Sequence, residues 1–526
     1  MTTQAPEDDQ QIGGPPVFGV PYRWVALGLV CFGIFLGTLD TSIINIALPT
    51  LADEFDVSSD QVIWVTLIFI LVSTGLGLIM GRLGDLYGRK QLYVIGFVLF
   101  TAAAGLAAIA GSLPELLGAR AVQAVGASMT IANGAAIVTA SFPARQRGMG
   151  LGIMIATVGA GVATGPVLGG ILIDVLDWRA IFWTRIPLGL VGALLVAAYL
   201  RDTPPEQRPK GLDLAGSLVL FVLLSAAVLA VNRGAIWGWE NWKIIALFAA
   251  AAVLVPLFLR IERRSPSPVV DLQLFRQRAF SGGILAALFQ FFGLSVVIIL
   301  MPFYLIDARG FDTLEAGAIM AAFPIAMLIF APLSGLIADR ANPRLLATLG
   351  LVIVAGGLFY TATVTGSTPV TGLVARMFVV GAGTAIFSSP NTLLIMGTVR
   401  SDRLGTASAA QTTARTIGNA IGIAVGATLF ASQAASYALA RSPLGLDDPV
   451  VGPEGLVSGI RLALLVAGAI AVFAIPPALA RGQERRARTA QTPAARTDVR
   501  VGHGVLIARI SPQASGSQLQ GAPRER

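Results

Sequence analysis

The sequence predicts an all-α polytopic membrane protein with fourteen spans. Of its 526 residues, 55% are hydrophobic and only 13% are charged, whereas soluble proteins carry about 25% charged residues. The apolar residues occur in long blocks that can cross a bilayer as helices, and short polar loops separate the blocks. Basic side chains concentrate in alternate loops. Together these three observations predict the fold class.

The apolar blocks give the spans in chain order. The predicted spans cover 24–48, 61–81, 91–111, 115–138, 150–173, 180–200, 214–232, 243–260, 280–306, 316–338, 345–365, 372–397, 405–431 and 456–480.

The loop charges predict the orientation of these spans. Loops expected on one side hold most of the arginine and lysine, for example Arg89, Lys90 and Arg145, while the first loop on the other side is acidic, with Asp53 and Glu54. Basic loops stay in the cytoplasm, so both termini are expected there in an inner-membrane protein. The net charge of +8 then indicates attraction to anionic lipid and not nucleic-acid binding.

An internal repeat divides the chain. At a shift of about 253–256 residues, four landmarks of the first half fall on like residues in the second. The pairs are Pro49 and Pro302, Asp85 and Asp339, Arg120 and Arg376, and Gly165 and Gly418. Chance matching is the alternative, but four matches near one shift argue against it. The predicted domains are a tail at 1–23, a six-helix bundle at 24–200, a linker with two inserted helices at 201–279, a second bundle at 280–480 and a disordered tail at 481–526.

Asp40 is the principal candidate for chemistry, because it is the only charged residue between Trp24 and Pro49. A carboxylate at the centre of a span costs roughly 2.5–3.5 kcal/mol on insertion scales and usually serves an ion, proton or substrate. Arg120, in span 4, lies at a depth that differs from that of Asp40 by only about 5 Å. The pair therefore fits a proton-coupling site. The alternative is that Arg120 extends to the outer interface.

The loop after span 2 is a candidate gate. Gly81 and Gly88 permit close helix approach and a tight reversal, and Asp85 can accept hydrogen bonds from Arg89 and from a helix end in the other half. The second copy retains only part of this loop, in Asp339 and Arg340, so we expect an asymmetric latch. The alternative is a basic loop with an incidental acid.

Span 5 contains a face of small residues. Gly161, Gly165 and Gly169 are four residues apart, Pro166 removes one helical hydrogen bond, and Gly170 follows. Small residues at this spacing allow helices to pack closely. We interpret the face as a hinge or rocking surface, although simple tight packing would also explain it.

Other polar and aromatic side chains within the spans are weaker candidates for a substrate cavity. Membrane amides more often hydrogen-bond neighbouring helices, and aromatic side chains often face lipid. Arg415 either faces the cavity or pairs with a carboxylate. The candidates for the cavity lining are Asn45, Gln123, Asn133, Gln290, Phe292 and Arg415.

These motifs resemble those of the major facilitator superfamily, in particular its fourteen-span drug:proton antiporters. The resemblance covers about 24–480 and implies two six-helix bundles plus two extra helices. The resemblance implies that Asp85 and Arg89 belong to the family's loop motif. It also implies that Arg120 and the span 5 glycines belong to two further motifs of the family. The chain departs from the pattern at Arg185, where asparagine is usual. We expect that arginine near the outer mouth. Span 10 also lacks the acid that some exporters carry.

The resemblance implies a proton-coupled antiporter that exports amphipathic or cationic drugs by alternating access. One alternative is an exporter of an endogenous metabolite such as an antibiotic, siderophore or lipid, and a second is a receptor or scaffold that does not transport. No phosphate-binding loop and no cluster of histidine and cysteine occurs in the sequence, so we expect neither an enzyme nor a metal or cofactor. The expected partners are protons, a small amphipathic molecule and the lipid bilayer, with the chain as a monomer.

Overall fold

The computed structural model describes residues 15–17, 19–202, 211–441 and 452–479. The predicted tail at 481–526, residues 1–14 and 18 of the predicted tail at 1–23, and residues 203–210 of the loop at 201–213 lie outside these residues. The described residues belong to one compact unit. The domain boundaries predicted from the repeat therefore stay a prediction.

Fourteen helices of the described chain are long and apolar enough to cross a membrane, which confirms the predicted number of spans. In chain order their main segments are α1 Tyr22–Glu54, α2 Trp64–Tyr87, α3 Arg89–Ala108, α4 Leu113–Ser141, α5 Arg147–Val175, α6 Arg185–Tyr199, α7 Leu214–Trp237, α8 Trp242–Arg264, α9 Arg278–Phe303, α10 Ala322–Arg340, α11 Pro343–Thr361, α12 Val370–Gly397, α13 Leu404–Arg441 and α14 Pro453–Val472.

Short segments extend or connect these helices. Four-residue helices precede α2 and α6, an eight-residue helix precedes α10, a π-helical turn ends α9, and a five-residue helix follows α14. Three-residue 3-10 turns precede α5, α9 and α13. The short segments are Ser59–Val62, Ala144–Gln146, Ala180–Trp183, Leu274–Arg276, Tyr304–Ala308, Thr313–Met320, Ser401–Arg403 and Ile475–Leu479.

The helices pack in two groups of six. Helices α1–α6 contact one another, with α1 against α4 and α5, and α3 against α4 and α6; helices α9–α14 do the same, with α9 against α13 and α14, and α11 against α12. The inserted α7 packs on α2 and α13, and α8 packs mainly on α7. The inserted α7 therefore contacts both groups, and Leu220 and Leu224 of α7 belong to a core cluster that includes residues of both.

The two groups meet chiefly where α5 crosses α10 and where α2 crosses α13. Glycine lies at both crossings. A Cβ placed on Gly81 would lie 2.5 Å from the carbonyl oxygen of Gly405, and Gly148 and Gly335 oppose each other in the same way. Because real Cβ atoms do not approach a carbonyl so closely, these positions admit only glycine without a shift of the helices. Both crossings lie at the end of the helices that carries the basic loops, called the basic end below.

Candidate functional site

Asp40 lies in a fully buried cluster formed by α1, α4 and the start of α6. Its Oδ2 accepts a hydrogen bond from Nη1 of Arg120 at 2.7 Å, and its Oδ1 accepts one from Nε2 of Gln123 at 2.9 Å. Arg120 also donates to Oε1 of Gln123 at 2.6 Å and to the carbonyl oxygen of Val65 at 3.3 Å. Arg120 is 1% exposed. It therefore does not extend to the outer interface, which was the alternative.

Arg185 is the residue of this cluster that sequence reasoning missed. Its guanidinium contacts Oδ1 of Asp40, and the side chain is 2% exposed, so it is buried in the cluster. Its place near the outer mouth stays a prediction. Its Nε and Nη2 have no hydrogen-bond partner among the described residues. One carboxylate therefore faces two guanidinium groups, and the cluster has a net charge of +1. The arginine in place of the usual asparagine was the signal, but it did not reveal the partner.

The second copy shows how the same scaffold holds an arginine without an acid. Arg376, the counterpart of Arg120, donates to the carbonyl oxygens of Tyr360 at 3.0 Å and Gly372 at 2.9 Å. Gly293 occupies the position equivalent to Asp40, and a Cβ there would meet Leu358 at 2.9 Å. Only the first copy places a carboxylate beside its motif arginine, so the acid is not a requirement of the fold.

The glycine face of α5 packs beside this cluster, against α1. A Cβ on Gly161, Gly165 or Gly169 would meet Thr38, Ser42 or Ile43, respectively. The face therefore joins two helices of one group and does not lie between the groups, whereas Gly148 and Gly152 of α5 contact α10. A Cβ on Gly170 would meet nothing within 4 Å.

Pro166 has a specific compensation in α1. Because proline has no N–H, the carbonyl oxygen of Val162, one turn earlier, loses its helical donor. The hydroxyl of Ser42 donates to that oxygen instead, at 3.1 Å. Helix α5 is continuous through Pro166. The freed carbonyl thus becomes a contact between α5 and α1, two residues from Asp40.

The candidate gate at the basic end is formed by Asp85 and the start of α13. The carboxylate accepts hydrogen bonds from the backbone N–H groups of Gly405 at 2.9 Å and Thr406 at 2.8 Å, and from the Thr406 hydroxyl at 3.0 Å. Arg89 forms an ion pair with it at 2.8 Å and donates to the carbonyl oxygen of Ser401 at 2.6 Å. The first N–H groups of a helix have no partner within the helix and favour an anion.

A second, smaller contact repeats this arrangement between α10 and α5. Asp339 accepts hydrogen bonds from the backbone N–H groups of Gly148 at 2.7 Å and Met149 at 2.9 Å, while Arg340 is exposed. Each group therefore caps a helix of the other group. The contact at Asp85 has two further donors, so the two contacts are unequal. Gly88, with φ of +101°, reverses the chain directly after the Asp85 contact, where a side chain would be strained.

Most of the predicted cavity residues are buried between helices in this conformation. Asn133 donates to the carbonyl oxygens of Met80 and Met129, Gln290 donates to Thr384, and Phe292 belongs to the core of the second group. None of these, nor Gln123, is more than 4% exposed. They do not line an accessible space here.

Two candidates for the cavity retain accessible surface. Asn45 is exposed and accepts a hydrogen bond from Thr66 at 3.3 Å. Arg415 is partly accessible and lies over the ring of Phe291, 4.3 Å from its centroid. It has no ion pair with any described carboxylate.

Comparison with known proteins identifies the fold family. The sequence model of the Major Facilitator Superfamily matches residues 30–423. The chain belongs to this superfamily. The transporter is 32% identical to the riboflavin transporter RibZ of Clostridioides difficile over 383 residues, which are 73% of this chain and 83% of that protein.

Other relatives agree with this family. The transporter is 32% identical over 385 residues to the multidrug resistance protein Stp of Mycobacterium tuberculosis, covering 73% of this chain and 71% of that protein. Its fold is similar to that of the human organic anion transporter MFSD10, with a TM-score of 0.62 at 13% identity over 87% of this chain and 99% of that one. The protein is therefore a multi-pass membrane transporter.

Proposed function

We propose that this transporter exports small amphipathic molecules in exchange for protons, by alternating access across the cytoplasmic membrane. The observation that carries the proposal is Asp40, a carboxylate buried in the first group of helices and paired with Arg120 and Arg185. A titratable group inside a membrane bundle is costly and typically serves an ion or proton pathway.

The hydrogen bonds of Asp40 suggest how proton binding is linked to conformation. Donors face both carboxylate oxygens in this state, from Arg120 and Gln123. A proton on either oxygen would point at one of these donors, so protonation requires the cluster to open. Helix α1 carries Asp40 and packs on α5, which in turn crosses α10 of the other group. Rocking of the two groups can therefore alter the surroundings of Asp40.

The two aspartate contacts at the basic end are the proposed gate. Asp85 and Asp339 each hold the first N–H groups of a helix in the opposite group, so this end is closed. With the basic loops in the cytoplasm, these contacts close the cytoplasmic side, and release of both contacts gives access from the cytoplasm. The membrane potential supplies about 2.3 kcal/mol for each charge moved across 100 mV.

The relatives support export of a drug-like molecule without specifying which one. One of them is named a multidrug resistance protein and another a riboflavin transporter. The second name supports an alternative, in which the transporter moves a metabolite by the same mechanism. Both versions share the proposed proton site and differ only in the substrate cavity.

The test is proton-coupled transport in proteoliposomes. A panel of riboflavin, an acridine dye and an aryl carboxylate is offered under an imposed pH gradient, while an entrapped dye reports proton flux. We expect the wild-type protein to move protons in response to at least one compound, and Asp40→Asn to abolish that response. Asp53→Asn, an exposed acid at the end of α1, is the matched control and should retain it.

The double variant Asp40→Asn/Arg185→Gln distinguishes loss of proton coupling from loss of folding. It restores the wild-type net charge of the cluster, yet it still lacks the carboxylate. We expect it to insert, to elute as a single species and to lack proton coupling. Proton-driven transport at the wild-type rate by either Asp40 variant would show that another group carries the proton.

A further inference from the structure

Arg415 is a cation deep in the protein that no described residue neutralises. It lies eleven residues after the start of α13, about 16 Å along the helix axis from the basic end. Among the described residues it contacts the ring of Phe291 on α9, and no charged group of those residues lies near it. A charge at this depth without a partner is expensive. It is therefore expected to face a ligand or water.

The surface of Arg415 is partly accessible, although the residue is far from both helix ends. On the neighbouring face of α13, Thr412, Thr413 and Thr416 line an internal cavity of about 90 Å³ between α13, α2 and α4. The guanidinium itself lies on the side of α13 that faces α9, next to these threonines along the helix. Stacking on Phe291 limits the orientations of the side chain and keeps its N–H groups available.

Asn419 lies one turn after Arg415 and has an unused polar atom. Residues four apart on a helix are neighbours on one face. The side-chain oxygen of Asn419 is buried and has no hydrogen-bond partner among the described residues. Rotation of the amide exchanges its oxygen and nitrogen, so Asn419 can present its NH₂ group to a ligand held by Arg415.

The described chain has few carboxylates in this part of the molecule, so arginine leaves it positively charged. Among the described residues, Asp40 is the only acid more than about a turn from the end of its helix, and Arg120 and Arg185 already pair with it. Arg415 and Arg376, which has carbonyl and hydroxyl partners but no acid, add further positive charge within the spans. A cationic substrate would meet repulsion here, whereas an anionic one would find a guanidinium without a competing partner.

We propose that Arg415, assisted by Asn419, binds the anionic group of an aromatic, amphipathic substrate, so that the transporter selects organic anions over organic cations. This assignment rests on the proposed transport function and revises its substrate class. Arginine suits a carboxylate or sulfonate, because its planar N–H groups donate two parallel hydrogen bonds to either. The ring of Phe291 offers an apolar surface to the aromatic part of the same molecule.

Equilibrium binding to the full-length protein in detergent tests this assignment without any proton gradient. The probes share one ring system and differ in charge: 1-naphthoate, 1-naphthalenemethanol and 1-naphthylmethylammonium. We expect isothermal titration calorimetry to show naphthoate binding at least about tenfold more tightly than the other two. Arg415→Gln should reduce naphthoate affinity by about tenfold or more, since a hydrogen bond to a charged group contributes that much, and should leave the neutral probe unaffected.

Two further variants define the role of the charge. Arg415→Lys should recover part of the naphthoate affinity, because it keeps the charge but loses the paired geometry. Arg278→Gln removes an exposed arginine at the start of α9 and should bind all three probes as the wild type does. Thermal unfolding of each variant verifies that it is folded.

Several results would overturn the assignment. These are equal or greater affinity of the wild type for the ammonium probe, an unchanged naphthoate affinity in Arg415→Gln, and no naphthoate binding up to millimolar concentration. Proton flux driven by a cation, with no anion binding, would overturn it while leaving the proposed function intact. Arg415-dependent binding of naphthoate without proton-coupled transport would support the binding site and contradict the proposed antiport.

Discussion

Neutralising Asp40 should destabilise the transporter far more than neutralising Arg185, although the two side chains contact each other. Hydrogen-bond donors reach both oxygens of Asp40, from Arg120 at 2.7 Å and from Gln123 at 2.9 Å. An asparagine has one acceptor and one donor at this position. In Asp40→Asn, either orientation of the amide therefore points its NH₂ group at another donor, and two buried guanidinium groups lose their counter-charge.

The charges of the cluster give the magnitude. The wild-type cluster has a net charge of +1, Asp40→Asn raises it to +2, and Arg185→Gln lowers it to zero. Removing one partner of a buried ion pair costs about 3–5 kcal/mol, which we expect for Asp40→Asn. Arg185→Gln removes an excess charge, and Nε and Nη2 of Arg185 have no partner among the described residues. We therefore expect it to cost no more than about 1 kcal/mol, in lost contacts with Asp40 and Phe182.

A double-mutant cycle measures this difference. The wild type, both single variants and the double variant Asp40→Asn/Arg185→Gln are unfolded by titration of mixed micelles with a denaturing detergent, followed by the fluorescence of the seven tryptophans. The double variant should be more stable than the sum of the single effects predicts, by about 1–3 kcal/mol. Effects that add within about 0.5 kcal/mol, or an Arg185→Gln cost equal to that of Asp40→Asn, would refute the charge argument.

Two further predictions concern the contacts between the two groups of helices. Asp85→Asn should open the basic end more than Asp339→Asn, because Asp85 has Arg89 and the Thr406 hydroxyl as additional donors. Spin labels attached to cysteines that replace Tyr87 and Arg400, in a Cys31→Ser background, should move apart in the first variant. A larger increase of their distance in Asp339→Asn would contradict the unequal latch. Gly81→Ala should lower the stability to unfolding by about 1–3 kcal/mol through overpacking, since its Cβ would lie 2.5 Å from the carbonyl oxygen of Gly405. Gly118→Ala, where a Cβ would meet nothing within 4 Å, should be neutral or stabilising, and equal effects of the two would show that the crossing tolerates a side chain.

Several features of the protein could be predicted from short stretches of sequence. The lengths of the apolar blocks predicted the fourteen spans, because a helix that crosses a bilayer needs about 20 apolar residues whatever its neighbours are. The motifs around Asp85 and Arg120 indicated the family. Matching residues at one shift suggested two related groups of helices, and the structure places Asp85 and Asp339 in equivalent contacts with helix starts.

The sequence was less informative about which side chains meet. Asn133 and Gln290 were candidates for a cavity, but the structure buries them against helix backbone and a threonine hydroxyl. The face of Gly161 and Gly165 was interpreted as a rocking surface, yet it packs on α1 within one group. A glycine or an amide has the same local pattern in either setting, so the pattern does not identify its partner.

The sequence by itself determined the number of spans, the class of transporter and the presence of an unusual acid in the first span. Only the tertiary structure decided that Arg185, which lies 145 positions after Asp40 in the chain, contacts the same carboxylate as Arg120, and that no acid of the described residues balances Arg415. The physical reason is that hydropathy depends on whether a segment lies in lipid or in water, which is a local property. The pairing of buried charges depends on how distant helices pack, which no single segment records.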